Sequence, residues 1–258
     1  QSPALYKENG LKKKEDAEKL QEALSQNQPV TALVEKVERK TEKKNPPLLY
    51  NLAELQNDGS RFLKISPDET LRIVQELYEK KLVTYPRTDA RVLSTAVAKV
   101  IARNLKGLCP YPQGGVFAAR ILEEERYKGI SKTRYVNDSQ ITDHYAIIPT
   151  GQGLGALKSV SETSRKVYEL IVRRFLGIFY PPAEYRRITV TARIGEETFV
   201  TGEKVLTKPG YLTASEVSFL KKKEENTGES RRLLMDLKKG QILPVREFEI
   251  KEGETSPP

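Results

Sequence analysis

Tryptophan is missing from this chain of 258 residues, and cysteine, histidine and methionine occur once each. A single cysteine, Cys109, rules out an internal disulfide and any cysteine-rich zinc site, and fits a reducing compartment. Beside Pro110 in a loop it reads as an incidental small residue rather than a nucleophile. A single histidine, His144, excludes a histidine-rich metal site in the same way. Long hydrophobic runs are also absent: none approaches the roughly 18 residues a membrane span needs. The polar start from Gln1 to Lys14 lacks the apolar centre of a signal peptide. The expectation is a cytoplasmic protein with no membrane partner. Because it opens on Gln1 rather than Met, the chain reads as a piece of something longer.

Acidic residues are outnumbered, 35 against 44 Lys and Arg, for a net charge of +9. That imbalance favours an anionic partner, with nucleic acid ahead of membrane because no long basic amphipathic helix is present.

Lys14 to Leu24 reads as a short charged helix with Ala17, Leu20 and Leu24 on one face. Val30 to Arg39 alternates as a strand does, and Asn45-Pro46-Pro47 then blocks both helix and ladder. Ser66-Pro67-Asp68-Glu69 combines an N-cap serine, a first-turn proline and a glutamate at the third helical position. The helix it starts runs to about Lys80, with Leu71, Val74, Leu77 and Tyr78 as its buried stripe. Val83-Thr84-Tyr85 is a short extended stretch that Pro86 stops. Another helix begins near Ser94 or Thr95, with Val97, Ile101 and Leu105 spaced four apart, and a loop from Gly107 to Gly115 follows. The longest helix is predicted over Ser161 to Phe179, ended by Tyr180-Pro181-Pro182.

Beyond that point the period changes to two, through Ile188, Val190, Ala192 and Ile194, with Gly195-Glu196-Glu197 as a hairpin turn into Phe199-Val200. Ile242 to Ile250 reads as one more strand, and Lys221 to Arg232 as a charged loop. The prediction is an α+β chain. A β-rich domain is assembled from residues 1–46 and 182–258, with a mainly helical domain, 47–181, inserted between them and a Pro-Pro pair at each crossing.

Leu82-Val83-Thr84-Tyr85-Pro86-Arg87-Thr88-Asp89 places a phenol, a guanidinium, a hydroxyl and a carboxylate within five positions on a proline-fixed turn. A Tyr-Pro pair can be no more than a turn with a packed aromatic. The alternative is chemical: a phenol of pKa about 10 needs a nearby cation to act as a nucleophile, and Arg87 supplies one. Attack on a phosphodiester exchanges one ester for another of similar free energy, so rejoining needs no ATP. A guanidinium also matches the charged non-bridging oxygens better than an ammonium does. The second candidate segment is Thr142 to Thr150, where His144 lies beside Asp143 after the basic stretch Lys128 to Arg134. It is either a structural histidine or a phosphate contact.

LVTYPRTDARVLS, from Leu82 to Ser94, resembles the active-site segment of type IA DNA topoisomerases. DHYAIIPTG, from Asp143 to Gly151, is similar to the histidine motif of that family, and its AIIPT ending resembles the topoisomerase III branch. LLYNLAELQ, TLRIVQELYEKKL and VYELIVRRFLGIFYPPAEY resemble the same branch in order and spacing. The resemblance implies Tyr85 as the nucleophile that becomes joined to a DNA 5′-phosphate and Arg87 as its catalytic partner. His144, Thr88, Asp89 and Arg134 are implied at the DNA, Asp89 orienting Arg87 or the turn.

The same resemblance implies a hinge domain like domain II of the family, and an inserted domain like its CAP or winged-helix-like domain III. The partners are single-stranded DNA and the remaining domains. Among those is a Toprim domain, expected outside this chain, whose glutamate and Asp-x-Asp cluster hold Mg2+. Tyr145 departs from the pattern, since that branch often has a second histidine there. Two other readings compete: a noncatalytic single-stranded DNA-binding module, with Tyr85 stacking on a base or packed inside, and a relaxase or tyrosine recombinase, which one histidine serves poorly.

Overall fold

The computed structural model describes residues 5–6, 10–26, 29–220 and 234–253. The charged stretch Lys221 to Arg232 lies outside them. The chain divides into two compact units, one drawn from Gln1–Glu42, Arg186–Val205 and Asn226–Pro258, the other from Lys43–Tyr185 and Leu206–Glu225. Each has its own buried core.

In the first unit, β1 (Leu5–Tyr6) pairs antiparallel with β2 (Gly10–Leu11), and α1 (Lys14–Ser25) follows. A four-stranded sheet is built from β3 (Thr31–Lys44), β4 (Ala183–Ile194), β5 (Glu197–Lys208) and β6 (Ile242–Pro244), in the order β5-β4-β3-β6. Alternation decides what is buried: Val34 of β3 and Ile188 and Val190 of β4 cluster with Leu237, and Ala32 clusters with Val30 and Ile194. On the outer face Arg187 pairs with Glu42 at 2.6 Å and Arg193 with Glu35 at 2.5 Å, so β3 and β4 run antiparallel. Exposed pairs like these contribute about 0–1 kcal/mol each, and act here as register markers.

Two sequence expectations change. Strand β3 continues past Arg39 to Lys44, because Glu42 meets Arg187 and Lys204 across the sheet. The last strand is only three residues long, Ile242 to Pro244 facing Leu33 to Thr31, with one further backbone bond beyond it from Val245 N to Val30 O at 3.0 Å.

The second unit is mainly helical. Asn51 caps α2 (Leu52–Asp58), Ser66 caps α3 (Pro67–Glu79), Ser94 caps α4 (Thr95–Leu108) and Ser161 caps α6 (Glu162–Gly177). Each side-chain oxygen accepts an N–H from the first turn, worth about 1 kcal/mol per helix. Helix α6 is the axis of this unit: Val167, Leu170, Ile171 and Phe175 are buried, and it packs against α3 and α7 (Leu212–Ser215).

The loop expected from Gly107 to Gly115 is present between Leu108 and Gly115, and a helix not expected from the sequence, α5 (Gly115–Glu123), follows it. A Cβ on Gly115 would lie 2.0 Å from the Cys109 carbonyl oxygen, so the turn requires glycine. Tyr78 is not in the buried stripe of α3. That face is centred on Thr70, Ile73, Val74 and Leu77, leaving Tyr78 on its margin with 38% of its surface exposed. No helix among the described residues is long and apolar enough to cross a membrane.

Candidate active site

Helix α3 hands the chain to the candidate site through one left-handed residue. Lys81 adopts φ +63, its N–H bonding the Tyr78 carbonyl at 2.8 Å while Leu82 N bonds Leu77 O at 2.9 Å. Leu82 and Val83 are then fully buried and pair antiparallel with the end of the histidine segment. Thr150 N donates to Leu82 O, Thr84 N donates to Ile148 O, and Val83 faces Pro149.

At Thr84 the ladder changes character. Its hydroxyl accepts Ile148 N at 2.9 Å and donates to Ala146 O at 3.1 Å, occupying groups that a continued strand would have used. Tyr85 and Pro86 therefore leave the sheet-like pairing, and Thr88 closes the arch by donating its hydroxyl to His144 O at 2.8 Å. The same Thr88 oxygen accepts Ala90 N at 3.1 Å. Two threonine hydroxyls thus fasten residues 84–88 over residues 144–148.

Inside the arch the Tyr85 and His144 rings are 4.3 Å apart between centroids, tilted by 39°. Tyr78 meets Tyr85 edge-to-face at 5.4 Å and 83°. Tyr85 is half-buried, while Arg87, Asp89 and His144 are exposed. Arg87 has no ion pair among the described residues, so its guanidinium is uncommitted.

The far side of the histidine segment is equally well held. Ile147 N bonds Tyr50 O at 2.8 Å, and Ala146 N bonds Val92 O at 3.0 Å. Asn51 serves twice, capping α2 through Glu54 N and donating its amide to Asp89 O at 3.1 Å. Behind it, the Tyr50 hydroxyl donates to Asp58 at 2.5 Å, Arg174 donates to Asp58 at 2.7 Å and to Leu48 O at 3.0 Å, and its guanidinium lies 4.0 Å from the Tyr50 ring centre. Burial pushes the Tyr50 phenol well above its ordinary range and raises that of Tyr145 as well.

Of the residues singled out from the sequence, Tyr85, Arg87, Thr88, Asp89 and His144 share this corner, but in different ways. Thr88 is buried, with its hydroxyl turned toward the protein. Asp89 forms no ion pair with Arg87 among the described residues and is held by its backbone. Arg134 is exposed, with its guanidinium 5.9 Å from the neighbouring Tyr135 ring, and no contact links it to Tyr85. Thr84, Tyr78 and Asn51 were not among the sequence candidates. Only Asn51 had a legible signal, a capping residue three positions before Glu54. The described residues contain no cluster of three or more His, Cys, Asp or Glu able to hold a metal ion.

The profile of a family described as DNA topoisomerase matches residues 3–258. The chain belongs to the DNA topoisomerase family. Its relatives include DNA topoisomerase 3 of Bacillus licheniformis, 40% identical over 225 residues that make up 85% of this chain and 29% of the relative. DNA topoisomerase 3 of Bacillus subtilis is 37% identical over 229 residues, 88% of this chain and 30% of that protein. These similarities put the chain on the type IA, topoisomerase III branch. The chain spans about a third of the length of the topoisomerases it matches. Full-length topoisomerase I from Thermotoga maritima shares the fold, with a TM-score of 0.60 and 22% identity over 93% of this topoisomerase chain and 36% of that one.

Proposed function

We propose that the chain is the gate-forming part of a type IA topoisomerase that cuts and rejoins single-stranded DNA through Tyr85. The Tyr85 oxygen attacks a backbone phosphorus, forming a phosphotyrosine bond to the 5′-phosphate as the bond to the 3′ oxygen breaks. The phenolic proton leaves Tyr85 and a proton is delivered to the departing 3′ oxygen. Rejoining reverses both transfers, which is why no ATP is consumed. Arg87 holds the attacked phosphate and stabilises the charge that builds on its non-bridging oxygens. His144, stacked on the nucleophile, contacts an adjoining phosphate. The observation that carries this reading is the packing of the Tyr85 and His144 rings, with Arg87, two residues beyond Tyr85, exposed and without an ion pair among the described residues.

In this reading the helical unit is the inserted domain bearing the nucleophile, and the β-rich unit is the hinge from which it swings. The described residues do not form a magnesium site. Its ligands belong to a Toprim domain elsewhere in the full-length protein, which works on DNA in the bacterial cytoplasm.

The test is covalent capture by the full-length protein. Wild type leaves a denaturation-resistant adduct on labelled single-stranded DNA, whereas Tyr85→Phe forms none and still binds the strand. An adduct that persists in Tyr85→Phe, or one that maps to another residue, would overturn the assignment.

A further inference from the structure

Among the described residues of the helical unit, every tyrosine and phenylalanine except Tyr78 is buried or half-buried. A lone exposed aromatic is ordinary in itself. This one is edge-to-face against Tyr85, 5.4 Å between centroids, and Tyr85 in turn lies against His144 at 4.3 Å. The placement follows from the backbone: the left-handed turn at Lys81 folds the last turn of α3 straight into residues 82–84, bringing positions 78 and 85 to the same side. The Tyr78 hydroxyl has no hydrogen-bond partner among the described residues, so the side chain is not present as a structural polar anchor. Glu79 follows it, and then Lys80 and Lys81, of which Lys81 is exposed.

Resting on the proposed function, we infer that Tyr78 is the stacking platform for the nucleobase next to the phosphate attacked by Tyr85. A phosphate at the Tyr85 oxygen brings the flanking sugars, and with them one base on either side, into this corner. An exposed aromatic ring is the element by which single strands are held without regard to sequence, because every base offers a π face. Tyr85 meets the Tyr78 ring edge-to-face, and 38% of the Tyr78 surface is exposed. The ligand is therefore a single unpaired base, and a base held in a duplex cannot take the position. The site would select for unpaired DNA and fix the strand so that its phosphate faces the nucleophile.

The experiment is a cycle between protein and DNA in the full-length protein carrying Tyr85→Phe, so that binding is read without cleavage. Tyr78→Ala should weaken binding to a single-stranded oligonucleotide by about tenfold, and Tyr78→Phe should rescue most of that loss. A set of oligonucleotides, each with one abasic position around the cleavage point, is then compared. At one flanking position the abasic lesion should weaken the Tyr78 protein by a similar factor and the Tyr78→Ala protein hardly at all. Losses that add at every position would overturn the stacking site, as would a Tyr78→Phe protein as weak as Tyr78→Ala. Failure of covalent capture by the Tyr85 protein would instead strike the underlying reading, since the binding cycle does not depend on it.

Discussion

Threonine 88 shows how much a single hydroxyl carries. Its bond to His144 O, with that of Thr84 to Ala146 O, holds the loop of Tyr85, the proposed nucleophile, over the histidine segment without any charged contact. Thr88→Val preserves the shape and removes the bond. We expect adduct formation by the full-length protein to fall by about tenfold or more while binding of the uncut strand holds, because small misplacements of reacting groups are costly. Thr88→Ser should restore capture, and rates of adduct formation on labelled single strands read all three proteins. Much of this corner was legible in the sequence, since Tyr85, Arg87 and His144 stand in two compact motifs. Thr84 was not, because its role depends on which carbonyls lie opposite it. Tyr78 was assigned to a buried stripe because helical periodicity gives the direction of a side chain and says nothing of how far the neighbouring elements reach.

Among the elements, α6 does more than fill the core. Arg174 joins it to Asp58, to Leu48 O and to the ring of Tyr50, whose carbonyl receives Ile147 N from the histidine segment. Replacing Arg174 with Met leaves the Asp58 carboxylate, whose side chain is only 16% exposed, without its cation and with only the Tyr50 hydroxyl, and should cost about 3 kcal/mol in a denaturant titration. Adding Asp58→Asn should recover part of that loss, and an additive pair would show that the two side chains do not act together. The helices capped by Ser66, Ser94 and Ser161 were readable because a cap is local chemistry. Helix α5 was hidden, since its start depends on Gly115 fitting against the Cys109 carbonyl, a contact within a fold rather than a pattern along a chain. The shortness of β6 was hidden for a similar reason: residues 242–250 have strand-like composition, and pairing partners decided the outcome.

At the scale of the molecule, the helical unit hides several phenols. Burial raises the Tyr50, Tyr111 and Tyr168 hydroxyls far above their usual range, and the Tyr168 oxygen has no hydrogen-bond partner among the described residues. A phenol in the unfolded chain ionises near pH 10, so below that value folded and unfolded states bind the same protons and these groups leave stability unchanged. Above it the unfolded chain releases protons that the fold retains, and stability declines as pH rises toward the folded values. The limiting slope approaches about 1.4 kcal/mol per pH unit for each phenol. Thermal melts from pH 8 to 11 should be level at first and then fall. A melting temperature that stays level up to pH 11 would refute the prediction.

The end of the histidine segment meets α4 backbone to backbone. A Cβ on Gly107 would come within 2.0 Å of the Gly151 oxygen, and one on Gly151, at φ +77, within 2.5 Å of the Asn104 oxygen, while Asn104 itself donates to Pro149 O. With no side chain between them to act as padding, the two segments cannot slide independently. On the role proposed for His144, a tug on it by a bound strand would be passed along the polypeptide into α4 instead of being absorbed where it arises.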